Sequence, residues 1–181
     1  SFVMETPWGR SEIKLNVAGA HMISNALAAA AVGLAVGLPI ESVAEGLSCV
    51  ELSPLRMEIV TSSNGTTVIN DTYNANPTSM KAALDSLSLF SCTGRKIALL
   101  GLMAELGEKN STAHMEVKRH AEELGIEVIA VETELYGDPR VVDLDDVLTE
   151  IEGMRLGEND ALLFKASRVV GLEKIVKEII I

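Results

Sequence analysis

The sequence predicts an α/β fold, a Rossmann-like, doubly wound and mostly parallel sheet entered by one antiparallel hairpin. Three observations carry this. Apolar, strand-like runs alternate with helix-like runs through the second half of the chain, which implies parallel pairing through right-handed crossovers. Ser63-Asn64-Gly65 sits between two β-rich runs, and Asn-Gly is the strongest short hairpin cue. Hydrophobic residues make up 48% of the 181 positions and aromatics only 3%, so there is material for a core and it must be aliphatic.

In chain order, two short strands are expected around Thr6-Pro7-Trp8-Gly9, within residues 2–16, because Ile13 and Leu15 alternate with polar neighbours. An Ala- and Leu-rich helix follows over 20–36, stopped by Gly37-Leu38-Pro39, and a second over 41–47. Glu51 to Pro54 reads as a linker, with a domain boundary between residues 52 and 53. The hairpin strands then span 56–62 and 66–70. Asn76 is a natural N-cap, with Pro77 at the first position of a helix reaching Phe90 whose stripe is Met80, Ala83, Leu84 and Leu87. Next come a strand at 96–102, a helix at 111–124, a strand at 126–131, a weak strand at 141–142 and a helix at 144–151. A strand at 161–165 and a helix at 169–180 complete the pattern. Ligands should collect where the parallel strands end, at 70–76, 101–109, 132 and 165–168.

Composition excludes several classes. Fifteen Lys and Arg against 26 Asp and Glu give a net charge of -11, which disfavours nucleic acid and anionic membrane surfaces. Cys49 and Cys92 stand alone, which fits a reducing cytoplasm. The longest apolar stretch, 26–40, is broken by Pro39 and falls short of the ~20 residues a membrane span needs; its Gly33 and Gly37 read as close helix packing. The chain opens at Ser1 without a signal pattern, as a piece cut from a longer protein would. Residues 101–111 imitate a phosphate loop, but Glu108 separates Gly107 from Lys109 and breaks the geometry; a G-x-G-x-x-G is missing as well.

The densest chemistry lies in Asn70-Asp71-Thr72-Tyr73-Asn74-Ala75-Asn76-Pro77, one carboxylate, one phenol and several amides between a strand end and a helix N-terminus, where anions are favoured. Capping explains Asn76 alone, but Asp71 with Tyr73 and Asn74 exceeds what a cap requires. Lys165, ending an apolar strand, must snorkel or pair. His114 falls on a helix face expected to be solvated.

That segment resembles the D-x-Y-N-A-N-P signature of the Mur ligase family, in the branch adding D-alanyl-D-alanine to UDP-N-acetylmuramoyl-tripeptide. Four more stretches keep the family's order: Gly19-Ala20-His21 with Asn25-Ala26-Leu27-Ala28; Pro54-Leu55-Arg56; Leu100-Gly101-Leu102-Met103 with Glu105-Leu106-Gly107; and Lys165-Ala166-Ser167-Arg168. Three positions depart from it. Met22 replaces a common Asn, Leu102 an Asp, and Ala166 a Gly, adding a methyl where backbone would approach ligand.

The resemblance implies that residues 1–52 are the helical end of a central ATP-binding domain and 53–181 a complete C-terminal domain of an enzyme of peptidoglycan synthesis. It implies ATP and Mg2+ as cofactors, with the Walker loop and metal ligands upstream of Ser1, so that this part does not catalyse alone. The substrates would be the UDP-linked tripeptide and D-alanyl-D-alanine, joined through an acyl phosphate. By the same likeness His21 and Asn25 lie near the nucleotide base, Arg56 reaches its phosphates and Asp71 holds its ribose. Tyr73, Asn74, Asn76, Lys165, Ser167 and Arg168 line the dipeptide side. Asp71→Ala is accordingly expected to impair ligation and leave the fold intact. Another amino-acid-adding or folylpolyglutamate ligase of the superfamily, or a non-catalytic module binding a nucleotide or a partner, stays open on sequence alone.

Overall fold

The computed structural model describes residues 1–16, 21–50, 53–137 and 140–180. It divides into two compact units, Ser1–Ser53 and Pro54–Ile181.

In the first unit, β1 (Phe2–Thr6) and β2 (Gly9–Ile13) form an antiparallel hairpin that pairs Phe2 with Ile13 and Thr6 with Gly9. The Thr6 hydroxyl donates to the Gly9 carbonyl at 3.0 Å and closes the turn. Two helices follow, α1 (His21–Ala35) and α2 (Ile40–Ser48). Met4 and Ile13 from the hairpin meet Ala30 and Leu34 of α1 and Val43 and Leu47 of α2 in one small core. The two glycines of α1's end differ in role. A Cβ on Gly33 would sit 3.1 Å from Val43, so that residue does permit close helix packing, whereas a Cβ on Gly37 would meet nothing and Gly37 has φ +90, the left-handed turn that ends the helix.

The second unit is a six-stranded sheet in the order β3 (Glu58–Thr61), β4 (Thr67–Asn70), β8 (Ala161–Lys165), β5 (Lys96–Leu100), β6 (Glu127–Val131) and β7 (Arg140–Val142). Only the β3–β4 hairpin is antiparallel; β4, β8, β5, β6 and β7 run parallel. Helices α3 (Pro77–Leu89), α4 (Asn110–Glu123), α5 (Val147–Gly153) and α6 (Glu173–Ile180) connect or follow the strands. Val147 and Ile151 of α5 and Ile175 and Val176 of α6 join Ile97, Leu99, Val131, Leu162 and Phe164 in one cluster. α3 and α4 contact one another and β5, β6 and β8. Strands covered on both faces should read as unbroken apolar runs, and β8, buried at all five positions, does so up to its last residue, Lys165. Each such Leu, Ile or Phe contributes about 1.5–3 kcal/mol on burial.

Two helices begin later than their periodicity suggests. Residues Leu144–Asp146 and Arg168–Val170 form single 3-10 turns before α5 and α6, and Gly171 at φ +77 separates the second turn from its helix. The conformation belongs to the left-handed region, which a glycine enters at no steric cost.

Candidate functional site

β4, β8 and β5 end side by side, so the loops that leave them converge. The ladder itself continues past the strands: Asp71 N donates to Phe164 O at 2.9 Å and Gly101 N to Lys165 O at 3.0 Å. This places Asp71–Asn76, Gly101–Gly107 and Lys165–Arg168 in one corner.

Lys165 is the most deeply placed charge there, its side chain 2% exposed. Its Nζ donates to Asp71 Oδ2 at 2.5 Å and to Asn74 O at 3.0 Å. Burial holds the amine below the usual lysine range; Asp71 opposes that shift and the nearby Arg56 guanidinium adds to it. The pairing alternative for this residue is therefore realised, and snorkelling is not. The other Asp71 oxygen, Oδ1, accepts from Met57 N at 3.2 Å.

Leu55 and Met57 flank Arg56 and both have positive φ, 68 and 47. Conformations of this kind cost on the order of 1–3 kcal/mol each and persist where surrounding bonds over-determine them. Here the bonds are Met57 N to Asp71 and Tyr73 N to Leu55 O at 3.1 Å. Arg56 is thereby displayed outward, its guanidinium carbon 4.0 Å from the centre of the Tyr73 ring. Arg168 approaches the same ring at 5.7 Å.

Ser167 is buried, and its hydroxyl accepts from Ala104 N at 2.8 Å and faces Ala75 O at 3.4 Å. It ties three loops together. Asn76 caps α3: its Oδ1 accepts from Ser79 N at 2.9 Å while Ser79 Oγ accepts from Asn76 N at 3.1 Å, a reciprocal capping box. Asn74 Oδ1 accepts from Ala75 N, and both asparagines are exposed. In the other unit, Asn25 is exposed on α1 with its amide 3.7 Å from Met22 Sδ. His21 opens α1, and its side chain lies outside the described residues.

Two expectations are overturned. His114 is fully buried and faces no solvent. Its Nε2 accepts from Met103 N at 2.9 Å, which leaves the proton on Nδ1 to bond Asn110 O at 2.7 Å. Burial lowers its pKa, with the Asn110 bond acting in the opposite sense. Tyr136 meets the ring edge-on, centroids 4.9 Å apart, and donates its phenol proton to Gly101 O at 2.8 Å. Burial drives that phenol well above its ordinary pKa. Both residues thus hold the 101–104 backbone from beneath. A signal was available for the histidine: it adjoins the apolar stripe Ala113, Val117 and Ala121. For Tyr136, and for the strained pair Leu55 and Met57, the sequence carries no local sign.

The second correction concerns Ala166. Its methyl is buried against Gly101, where an added Cβ would lie only 2.7 Å away, so it fills the protein interior and does not line a ligand surface.

A groove of roughly 590 Å³ opens at the opposite end of the sheet, lined by Arg95, Glu127, Arg140 and Glu150 among others. Its guanidiniums are engaged, Arg140 with Glu150 and Arg95 with Met154 O. The strand-end corner, with two exposed guanidiniums, is the better candidate. Among the described residues no three His, Cys, Asp or Glu side chains converge to hold a metal ion.

Residues 55–178 match the family described as Mur ligase, glutamate ligase domain. The chain is 34% identical over 178 residues to the UDP-N-acetylmuramoyl-tripeptide--D-alanyl-D-alanine ligase of Bacillus subtilis, covering 91% of this chain and 39% of that protein. The enzyme of that name from Mycobacterium leprae is 43% identical over 136 residues, 68% of this chain and 26% of that one. A crystal structure of MurF from Acinetobacter baumannii superposes with a TM-score of 0.84 at 30% identity, covering 99% of this chain and 41% of the other. The chain thus spans between about a quarter and two fifths of the length of these relatives.

Proposed function

Because the chain belongs to the Mur ligase family, we propose that it is part of an ATP-dependent ligase that adds D-alanyl-D-alanine to UDP-N-acetylmuramoyl-tripeptide during peptidoglycan synthesis in the cytoplasm. Residues 1–52 are the end of its central ATP-binding domain and 53–181 its C-terminal domain. No helix among the described residues is long and apolar enough to cross a membrane.

The observation that carries this reading is the strand-end corner, where the buried Lys165–Asp71 pair and Ser167 hold Arg56, Tyr73 and Arg168 at the surface. ATP supplies the phosphoryl group that activates the tripeptide carboxylate, and the dipeptide amine then attacks the acyl phosphate. The chain's share is positioning and charge neutralisation. Arg56 forks onto nucleotide phosphate oxygens. Asp71 has lone pairs left for a ribose hydroxyl, since each of its oxygens accepts one bond from the protein. Asn25 and His21 lie on the nucleotide-base side. Tyr73, Asn74, Asn76 and Ser167 shape the dipeptide side, and Arg168 meets the dipeptide carboxylate. The residues described do not suit a Mg2+ site.

The test is ligation by the intact enzyme. Supplied with ATP, the UDP-tripeptide and D-alanyl-D-alanine, it should release phosphate and form the pentapeptide product seen by mass spectrometry. Arg168→Gln should raise the dipeptide KM about tenfold or more with the ATP KM little changed. Turnover with a single amino acid in place of the dipeptide, and none with the dipeptide, overturns the reading.

A further inference from the structure

The backbone that leaves β5 is held from two sides, and along residues 101–104 the partners alternate. Gly101 O accepts from the Tyr136 hydroxyl at 2.8 Å, and Leu102 O accepts from Ser167 N at 2.9 Å. Met103 N then donates to His114 Nε2 at 2.9 Å, and Ala104 N to Ser167 Oγ at 2.8 Å. One side is therefore Ser167, which precedes Arg168. The other is the pair His114 and Tyr136, both out of solvent. Neither is needed as filling. Ala113, Val117 and Ala121 already give α4 an apolar face, and leucine or phenylalanine would take up similar space without the cost of burying an imidazole and a phenol. That cost is offset only where each polar group finds its partner, and both partners lie in the same short segment. The edge-on contact of the two rings, centroids 4.9 Å apart, fixes each side chain against the other. On the opposite side, Gly101 is so near Ala166 that a Cβ on the glycine would lie 2.7 Å from its methyl.

We propose that His114 and Tyr136 are positioning residues for the dipeptide: through the 101–104 backbone they fix Ser167, and with it the place from which Arg168 meets the dipeptide carboxylate. Neither touches substrate. Losing either bond frees a backbone group in the segment that carries two of the bonds to Ser167, so Ser167 and Arg168 lose their fixed place while the sheet beneath stays packed. What position 114 must supply is an acceptor for Met103 N, and what position 136 must supply is a donor for Gly101 O. The proposal rests on the ligase reading only for the identity of the ligand, since the link from α4 to Ser167 stands on the hydrogen bonds.

In the intact enzyme, Tyr136→Phe keeps the ring and removes only the donor. It should raise the dipeptide KM about three- to tenfold, with kcat and the ATP KM within about twofold. His114→Leu should do the same. His114→Gln, which still presents an acceptor to Met103 N, should keep the dipeptide KM within about twofold of the unsubstituted enzyme. In a Ser167→Ala background, where the Ala104 amide is already released, Tyr136→Phe should add little to the dipeptide KM. Hydrogen exchange of the unsubstituted chain depends neither on the folding of variants nor on turnover. The amides of Met103, Ala104 and Ser167 should open as one unit, with protection factors equal within about threefold. The proposal is overturned if these amides open independently, if Tyr136→Phe leaves the dipeptide KM unchanged, if kcat and every KM worsen alike, or if His114→Gln is as impaired as His114→Leu. An intact enzyme that does not ligate the dipeptide sinks the ligase reading instead, and the exchange result then decides the brace by itself.

Discussion

Lys165 brings a charge to a place with 2% side-chain exposure, and Asp71 is the group that makes this tolerable. Removing one partner of such a pair leaves the other uncompensated, which is more harmful than never having had the pair. Asp71→Ala should therefore cost about 2–4 kcal/mol in urea unfolding, and the expectation that it would spare the fold is revised. Asp71→Ala with Lys165→Met should recover a large part of that loss; an additive double-mutant cycle would show that the two side chains are not coupled. His114 gives a pH dependence of definite sign. Folded, it stays neutral below the ordinary value of 6.5, while in the unfolded chain it titrates near that value. As pH falls through 6.5 the unfolded state gains a proton the folded state does not, so stability drops, and it levels off below the folded pKa. His114→Gln, whose amide oxygen can still accept from Met103 N, should remove this part of the slope when urea midpoints are compared across pH. The polar run 70–77 stood out as a candidate site because its density exceeds what a turn uses, and Asn76 was legible as a cap from spacing alone. The partners of Asp71 and His114 were not, since each is set by which loops the sheet brings together.

At the level of elements, the strands ending at Leu100 and Lys165 lie so close that a glycine on one loop faces a methyl on the other. Gly101→Ala would press a second methyl against Ala166 and Val170. Overpacking of this kind should lower stability by about 1–3 kcal/mol, and Ala166→Gly in the same chain should restore part of it, both read from thermal unfolding. If the two changes prove independent, the loops are not in the contact described. The α3 cap separates structure from recognition in a similar way. Asn76→Ala should lose about 1 kcal/mol, whereas Asn76→Ser, which can still accept from the Ser79 amide, should lose little. A dipeptide KM raised equally by both in the intact enzyme would then report contact with substrate. Most helices and strands were legible because their periodicity is local. The exceptions are the late starts of α5 and α6, where a 3-10 turn and the left-handed Gly171 stand inside runs whose apolar spacing continues.

For the molecule as a whole, the two units have unequal resources. The core of residues 1–53 rests on a two-stranded hairpin and two helices, while residues 54–181 enclose a sheet covered on both faces. Small units bury too little surface to be more than marginally stable. Residues 54–181 produced alone should keep the main cooperative transition of the whole chain, and hydrogen exchange should find the slowest amides in β4, β5 and β8. Fast exchange there, or loss of the transition, would show that this unit does not carry its own stability. The parallel sheet itself was legible from the alternation of elements, but its strand order was not, because no local pattern says that the last strand sits between β4 and β5.

That order governs how the protein can be made. Until Ala161–Lys165 leaves the ribosome, the flanks of β4 and β5 have no neighbour between them, and Lys165 must find a carboxylate 94 residues earlier. From the completion of β5 until then the nascent chain consequently carries two bare, aliphatic strand edges, the kind of surface that holdase chaperones bind. A stop codon just ahead of residue 161 should yield an insoluble, rapidly degraded product, although nearly nine tenths of these 181 residues would be present.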